Sequence, residues 1–345
     1  MLDKEDLAVF HGTSLQRKAE GVLANQLLCV FLLIVDVGKS VLSYAVVYHN
    51  GGQYPLPQTV IITVIEALKC LTVTLIHLVK TKSLWNLQPS LLFLFPSLVY
   101  AVTNNIFFYA LTYVTPAVWI VLIQGKVICT LIIYRLCFRK DVTVAQWVAV
   151  VLITFAIALS QFRSLTVEGA SVPLVAISLS IINSLLAAVV SVYTEVLFKN
   201  DNRRSFWEQQ IQLYFFGTLL NLMYVVFFDD VKQKAFSFSL VSSNIKTFLV
   251  ATVVIATLHG ITLATIMRQL DNIVKFYISA VGNVMTAIAS TLLFPDKFTL
   301  DFVFILSLLI LIVAIYLYET KNFDIFGNKE SELSQNNNSN NNVSK

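Results

Sequence analysis

The chain is 345 residues long, 57% hydrophobic and only 13% charged, with a net charge of +4 and a mean hydropathy of +0.75. Soluble domains carry roughly 25% charged residues, so there is too little polar surface here to face water, and lipid must act as the main solvent. The small, scattered positive charge excludes a nucleic-acid surface.

Met1 to Val22 is polar and mixed in charge, without the apolar stretch of a signal peptide. It predicts an uncleaved N-terminal segment over residues 1–22. A membrane helix needs about 20 mostly apolar residues, and such runs then follow near 24–47, 58–79, 90–112, 115–137, 143–161, 172–197, 206–228, 245–267, 272–294 and 298–318. These ten predict an all-α polytopic membrane domain over residues 23–319. Gly, Pro and short polar clusters separate them: Asn50-Gly51-Gly52, Pro55 and Pro57, Thr115-Pro116, Arg139-Lys140-Asp141, and Pro295-Asp296-Lys297. The links Tyr113–Thr115 and Pro295–Lys297 are short enough to predict that their flanking helices are antiparallel neighbours. Residues 320–345 form an Asn- and Ser-rich tail of low complexity, expected to be disordered, and the sequons at Asn337 and Asn342 lie in it.

Lys and Arg concentrate on the cytosolic side of membrane helices. With a cytosolic N-terminus, fifteen of them fall on the cytosolic side and five on the other, and four lie within spans. Both termini are therefore expected in the cytosol. The four cysteines (Cys29, Cys70, Cys129, Cys137) have neither metal nor disulfide spacing and read as small apolar residues. There is no His-Glu-x-x-His, no pair of membrane aspartates and no clustered His/Cys set. The expectation is no enzyme activity, no metal and no cofactor.

The chain also repeats its punctuation. At an offset of 156, Pro116 meets Asn272, Phe138 meets Phe294, Arg139-Lys140-Asp141 meets Pro295-Asp296-Lys297, and Thr143 meets Thr299. That offset equals five spans, an odd number, so the second copy is inverted in the membrane. The prediction is two inverted five-helix repeats, approximately 23–161 and 172–319, an arrangement used by alternating-access carriers with a substrate site near the midplane.

Charged groups inside a bilayer are costly and mark candidate sites. Lys126 lies mid-span after Gln124 and Gly125, with no acid within a turn on its own helix. Its counter-charge must come from another helix or from a ligand, and an ammonium suits a phosphate. Lys275 lies just inside the ninth span, after Asp271-Asn272, from where it can contact ligand or snorkel. Glu66 with Lys69, and Asp36 with Lys39, are each three apart on one helix face. They read either as self-neutralising ion pairs or as cavity wall. Tyr100, Asn104 and Asn105 offer hydrogen-bonding groups that could read a base edge or ribose, or could join helices. Gln210 and Tyr214, one turn apart, invite the same two readings. His77 and His259 are lone histidines, read as packed or interfacial.

Pro96-Ser-Leu-Val-Tyr100-Ala-Val-Thr-Asn104-Asn105, Gln124-Gly-Lys126, Gln146-Trp147, Val192-Tyr193-Thr-Glu195, Gln212-Leu-Tyr214-Phe-Phe-Gly217, Asp271-Asn272-Ile-Val-Lys275 and Glu66-Ala-Leu-Lys69 together carry a resemblance. In this order the chain resembles the nucleotide-sugar transporters, and within them the CMP-sialic acid, UDP-galactose and UDP-N-acetylglucosamine carriers. The resemblance implies the ten-helix drug/metabolite-transporter fold in the Golgi membrane, with the endoplasmic reticulum or endosomes as alternatives. It implies exchange of cytosolic nucleotide sugar for lumenal nucleoside monophosphate. Tyr100, Asn104 and Asn105 would then recognise the nucleoside and Lys126 and Lys275 the phosphates. Tyr214, with Gln210 and Gln124, would line the cavity, and Glu66 and Lys69 would shape its wall. Phe216 and Gln210 depart from the small Ser and the Asn that are common at those positions. The implied partners are the nucleotide sugar, the monophosphate and membrane lipid, with a homodimer or a complex with glycosyltransferases or related transporters as further options. Two other functions remain open: a carrier of another phosphorylated or organic-anion metabolite, and a non-transporting membrane scaffold with the same fold.

Overall fold

The computed structural model describes residues 4–81, 88–137, 143–160, 173–200, 204–228, 242–269, 272–298 and 300–319. The Arg139-Lys140-Asp141 turn and the Asn-rich tail with its two sequons lie outside the described residues. Among those described, regular structure is entirely helical. In chain order the helices are α1 (Lys4–His49), α2 (Gln58–Thr81), α3 (Leu94–Ala110), α4 (Pro116–Leu122), α5 (Gly125–Cys137), α6 (Val144–Ser160), α7 (Leu174–Asn200), α8 (Phe206–Phe228), α9 (Ser243–Gln269), α10 (Asn272–Leu293) and α11 (Phe302–Glu319). The polar N-terminal stretch from Lys4 continues the first span as helix.

Helix ends follow local chemistry. Gly51 and Gly52 adopt φ of +67° and +89°, and the Gly52 amide reaches back to the Val47 carbonyl at 2.9 Å, which closes α1 with left-handed glycines. Pro57 and Pro173 precede α2 and α7, and Pro116 occupies the first turn of α4, where its missing N–H is not needed. Thr143 and Gln146 cap each other's amides at the start of α6, at 3.1 and 3.3 Å. Asp301 accepts the Phe304 amide at 2.8 Å to open α11.

Six helices, within α1, α2, α3, α7, α8 and α9, are long and apolar enough to cross a bilayer; shorter apolar helices lie within α4–α5, α6, α10 and α11. Their outward faces carry exposed Leu27, Ile34, Val79, Phe155, Phe227 and Val250. Such faces are stable against hydrocarbon, which cannot hydrogen-bond, because helices satisfy their own backbone groups.

The main packing pairs are α6 with α11, α2 with α8, α1 with α9 and α10, α5 and α3 with α7, and α3 with α8. The short Pro295–Lys297 turn does join packed neighbours, α10 and α11. The equally short link after Ala110 behaves differently, because α3 lies chiefly against α7 and α8 rather than α4. A tight turn fixes where a helix starts, but side-chain complementarity chooses what it packs on. The fourth span is also not continuous. Helix α4 stops at Leu122, the Gln124, Lys126 and Val127 amides bond three residues back, and α5 resumes at Gly125. Ser184 on α7 donates to the Ile123 carbonyl at 3.3 Å, so a backbone acceptor at the break is satisfied.

At one end of the bundle the Tyr48 hydroxyl donates to Asp296 Oδ1 at 2.6 Å, and Tyr44 and Tyr48 pack on Phe294 with ring centroids 4.8 and 5.1 Å apart. The Tyr48 bond, with Lys297 alongside, holds the exposed Asp296 carboxyl below its ordinary pKa. The unfolded value is about 3.9, so this contribution to stability is complete above that pH and is lost as pH falls through the lower folded value. Tyr48→Phe should lower the melting temperature in detergent at neutral pH. The gap to wild type should narrow as the pH drops below about 4, and a gap that stays constant to lower pH would rule the bond out as its source.

Candidate functional site

A partly open, largely apolar chamber of about 220 Å³ lies between α1, α2, α3, α8 and α9. Its wall carries Lys39, Glu66, Lys69, Tyr100, Asn104, Gln210, Tyr214 and His259 among apolar residues. Ionisable groups survive at this depth only when enclosed and paired.

Glu66 and Lys69 are one helical turn apart on α2, both buried, and form an ion pair at 2.5 Å. Asn104 of α3 donates to the same carboxylate oxygen at 3.3 Å. The Lys69 ammonium also lies 4.9 Å over the Tyr214 ring, whose hydroxyl donates to the Gly260 carbonyl at 3.4 Å. Two glycines let the neighbouring helices approach this cluster. A Cβ at Gly260 on α9 would stand 2.8 Å from Lys69 Cδ, closer than real contacts allow, whereas one at Gly217 on α8 would meet Glu66 Oε2 at an ordinary 3.4 Å.

The second acid of the site pairs across helices. Asp36 Oδ1 stands 3.0 Å from His259 Nε2 on α9, while Lys39, which shares its face of α1, places its ammonium 4.6 Å over the Phe107 ring. The same-helix pairing of Asp36 and Lys39 is thus replaced by a bond to His259, a residue that the sequence reading left as packed or interfacial. The cue was available: one imidazole inside an apolar span, followed by a glycine, in a chain with an unexplained aspartate.

The other expected residues sort by position. Tyr100, Asn104, Gln210 and Tyr214 reach the chamber. The Gln210 carbonyl oxygen is buried without a hydrogen-bond partner. Asn105 turns away to join three helices: it donates to the Ala101 carbonyl at 2.8 Å and to Asn221 at 3.1 Å, and accepts from Thr59 at 3.1 Å. Gln124 is buried and donates to the Ile120 carbonyl at 3.1 Å, bracing the helix break. Lys126 follows that break, half-buried and outside the chamber wall, and its electrostatic partner is Asp36. Lys275 is in the first turn of α10, and its side chain lies outside the described residues. Among the described residues no group of His, Cys, Asp and Glu is arranged to hold a metal.

A bundle of long apolar helices whose outward faces are apolar defines a polytopic membrane protein. A nucleotide-sugar transporter family profile matches residues 26–319, and the chain belongs to that family. It is similar to CMP-sialic acid transporter 1 of Oryza sativa subsp. indica, with 30% identity over 66% of this chain and 71% of that protein. It is similar also to CMP-sialic acid transporter 2 of the same subspecies, with 29% identity over 78% and 77%. UDP-galactose translocator 1 of Caenorhabditis elegans shares 26% identity over 66% and 64%. A protein of known crystal structure superposes with a TM-score of 0.52 at 13% identity, over 86% of this chain and 97% of the other, a likeness of fold.

Breaking a buried ion pair from one side leaves an uncompensated charge and costs about 3–5 kcal/mol, whereas replacing both partners is often neutral. Glu66→Gln should therefore lower thermal stability sharply, and Glu66→Gln with Lys69→Met should recover most of the loss. An equal loss in both would refute the pair as the cause. Gly217→Ala should be neutral or stabilising by up to about 1 kcal/mol through helix propensity. Gly260→Ala, which forces Lys69 to move, should destabilise by about 1–2 kcal/mol. Denaturation of the two variants in the same detergent compares them directly.

Proposed function

We propose that the protein is a Golgi nucleotide-sugar transporter that exchanges cytosolic nucleotide sugar for lumenal nucleoside monophosphate by alternating access. The observation that carries this is the charge of the chamber. Its wall carries two ammonium groups (Lys39, Lys69) and one carboxylate (Glu66). A cation surplus in low dielectric is costly, and an anionic nucleotide would offset it. Tyr100, Asn104, Gln210 and Tyr214 supply the ring faces, donors and acceptors that a base and sugar need. Lys126 and Lys275 are assigned to the phosphates, and Gln124 supports Lys126 by bracing its helix. Asn105 acts in this reading by holding Asn104 in place.

Support for two inverted five-helix repeats comes from helix ends and packing partners. Helix α4 opens at Pro116 and α10 at Asn272, α5 closes at Cys137 and α10 at Leu293, and both intervals are 156 residues. Advancing each span by five exchanges the α1–α9 contact with α7–α3, α1–α10 with α7–α5, and α2–α9 with α8–α3, and returns α2–α8 and α6–α11 to themselves. Rocking of one repeat on the other would expose the chamber to each side in turn.

Support for cytosolic termini comes from the fifteen-to-five distribution of Lys and Arg. Ends assigned to one side also touch: Tyr48 meets Asp296, and the Gln88 carbonyl accepts from Arg204 and Gln212 at 2.9 Å each. The Golgi membrane is the location that the family resemblance implies.

Exchange follows if the empty carrier reorients slowly, because its unpaired ammonium groups would enter a closing cavity. Proteoliposomes loaded with unlabelled CMP or UMP should take up labelled nucleotide sugar at least about tenfold faster than empty ones, and Lys126→Ala should lower that exchange by about tenfold or more while the protein remains folded. Uptake that is indifferent to internal monophosphate would remove the antiport mechanism.

A further inference from the structure

We propose that Lys39 is an additional anion-binding point of the chamber, one that reads a second negative group on the substrate besides its first phosphate. This rests on the nucleotide-sugar reading above and deepens it.

Lys39 lines the chamber, and among the described residues its ammonium has no carboxylate within bridging distance. Both nearby acids make their close contacts with other groups. Glu66 is held by Lys69 at 2.5 Å and accepts from Asn104 at 3.3 Å. Asp36 lies three residues before Lys39 on α1, a spacing that normally lets two side chains meet. His259 reaches across from α9 and takes Asp36 Oδ1 at 3.0 Å. The field of Asp36 extends to Lys126 on α5 as well, so one carboxylate serves an imidazole and two ammonium groups. The Phe107 ring, 4.6 Å from Lys39 Nζ, supplies only a cation–π contact. Such a contact is weaker than a charge-assisted bond to an anion, and an ionised phosphate or carboxylate competes well against it.

His259 holds Asp36 in an ion-pair contact that Lys39 does not share, so the aspartate acts on Lys39 only from beyond bridging distance. A lysine is a point charge with no preference for planar or tetrahedral oxygens. The chemistry it recognises is therefore a second anionic group, either the second phosphate of a diphosphate sugar or a carboxylate on the sugar. In the fold, that group would lie on the α1 side of the chamber, where Lys39 lines its wall.

The test measures binding of UMP, UDP, UDP-glucose and UDP-glucuronate, with CMP and CDP in parallel, to the purified full chain and to Lys39→Met and Lys39→Arg. If Lys39 reads the second phosphate, Lys39→Met weakens UDP and CDP about tenfold relative to UMP and CMP, and Lys39→Arg restores most of the preference. If it reads a sugar carboxylate, the diphosphate-to-monophosphate ratio is unchanged and the loss is confined to UDP-glucuronate against UDP-glucose. Equal weakening of every ligand, or a change in thermal stability with no change in either ratio, makes Lys39 a packing cation and overturns the proposal. Should Lys39→Met not fold, Lys39→Gln keeps a polar head of similar reach and gives the same readout. Failure of the wild-type chain to bind any of these nucleotides sinks the transporter reading itself. Wild-type binding with ratios unmoved by the substitutions sinks only the assignment of Lys39.

Discussion

The cost of placing charge in hydrocarbon governs the rest of this structure. Glu66 and Lys69 must sit at membrane depth together or not at all, and the surrounding helices are arranged to keep them company. Asn104 donates to the carboxylate, the Tyr214 ring lies beneath the ammonium, and glycines at 217 and 260 bring α8 and α9 close enough to seal the pair. Each of these contacts is weak alone. Their common effect is to hold charge inside an enclosed space with lipid outside, which is what an intramembrane ligand site requires.

The break between α4 and α5 is the backbone counterpart of that arrangement. Interrupting a helix exposes carbonyl and amide groups that lipid cannot satisfy. Here the interruption faces other helices: Ser184 donates to the Ile123 carbonyl, and the Gln124 side chain returns to Ile120. Even the added bulk of a side chain at Gly125 would press on Ser184, at 3.3 Å. Lys126 follows directly, so the most isolated cation of the sequence stands where the chain departs from regular helix. Asp36, ninety residues earlier in the chain, acts on it from beyond ion-pair distance.

Much of the frame was legible because it depends on local rules. The glycines at 51 and 52 and the prolines at 57 and 116 mark helix ends by chemistry contained within a few residues. The candidate pairs on α2 were also legible, since i and i+3 must face the same way. The same rule misled on α1, because it says which groups can meet and nothing about competitors from other helices. His259, more than two hundred residues away, takes the aspartate that Lys39 would otherwise have held. Asn105 and Asn104 are adjacent in sequence and chemically identical, yet one faces Glu66 and the chamber and the other joins α2 and α8. A helix turns by about 100° per residue, so neighbours must diverge. Only the packing decides which of them meets the cavity.

The chemistry of the chamber does not follow its packing pairs. Helices that occupy corresponding places in the contact pattern contribute different groups. Charged α1 and α2 correspond to α7 and α8, which present Ser184, Gln210 and Tyr214 to the interior. At the 156-residue interval, Lys126 corresponds to Gly282, where an added Cβ would lie 3.3 Å from Asp36 Oδ2, and Lys275 corresponds to the buried Trp119. A second lysine at 282 would collide with the carboxylate that the first one needs. The pattern of helix contacts can be duplicated because apolar packing tolerates many side chains of similar volume. A buried charge needs a counter-charge within reach, and copying it without one would add a desolvation cost with nothing to offset it.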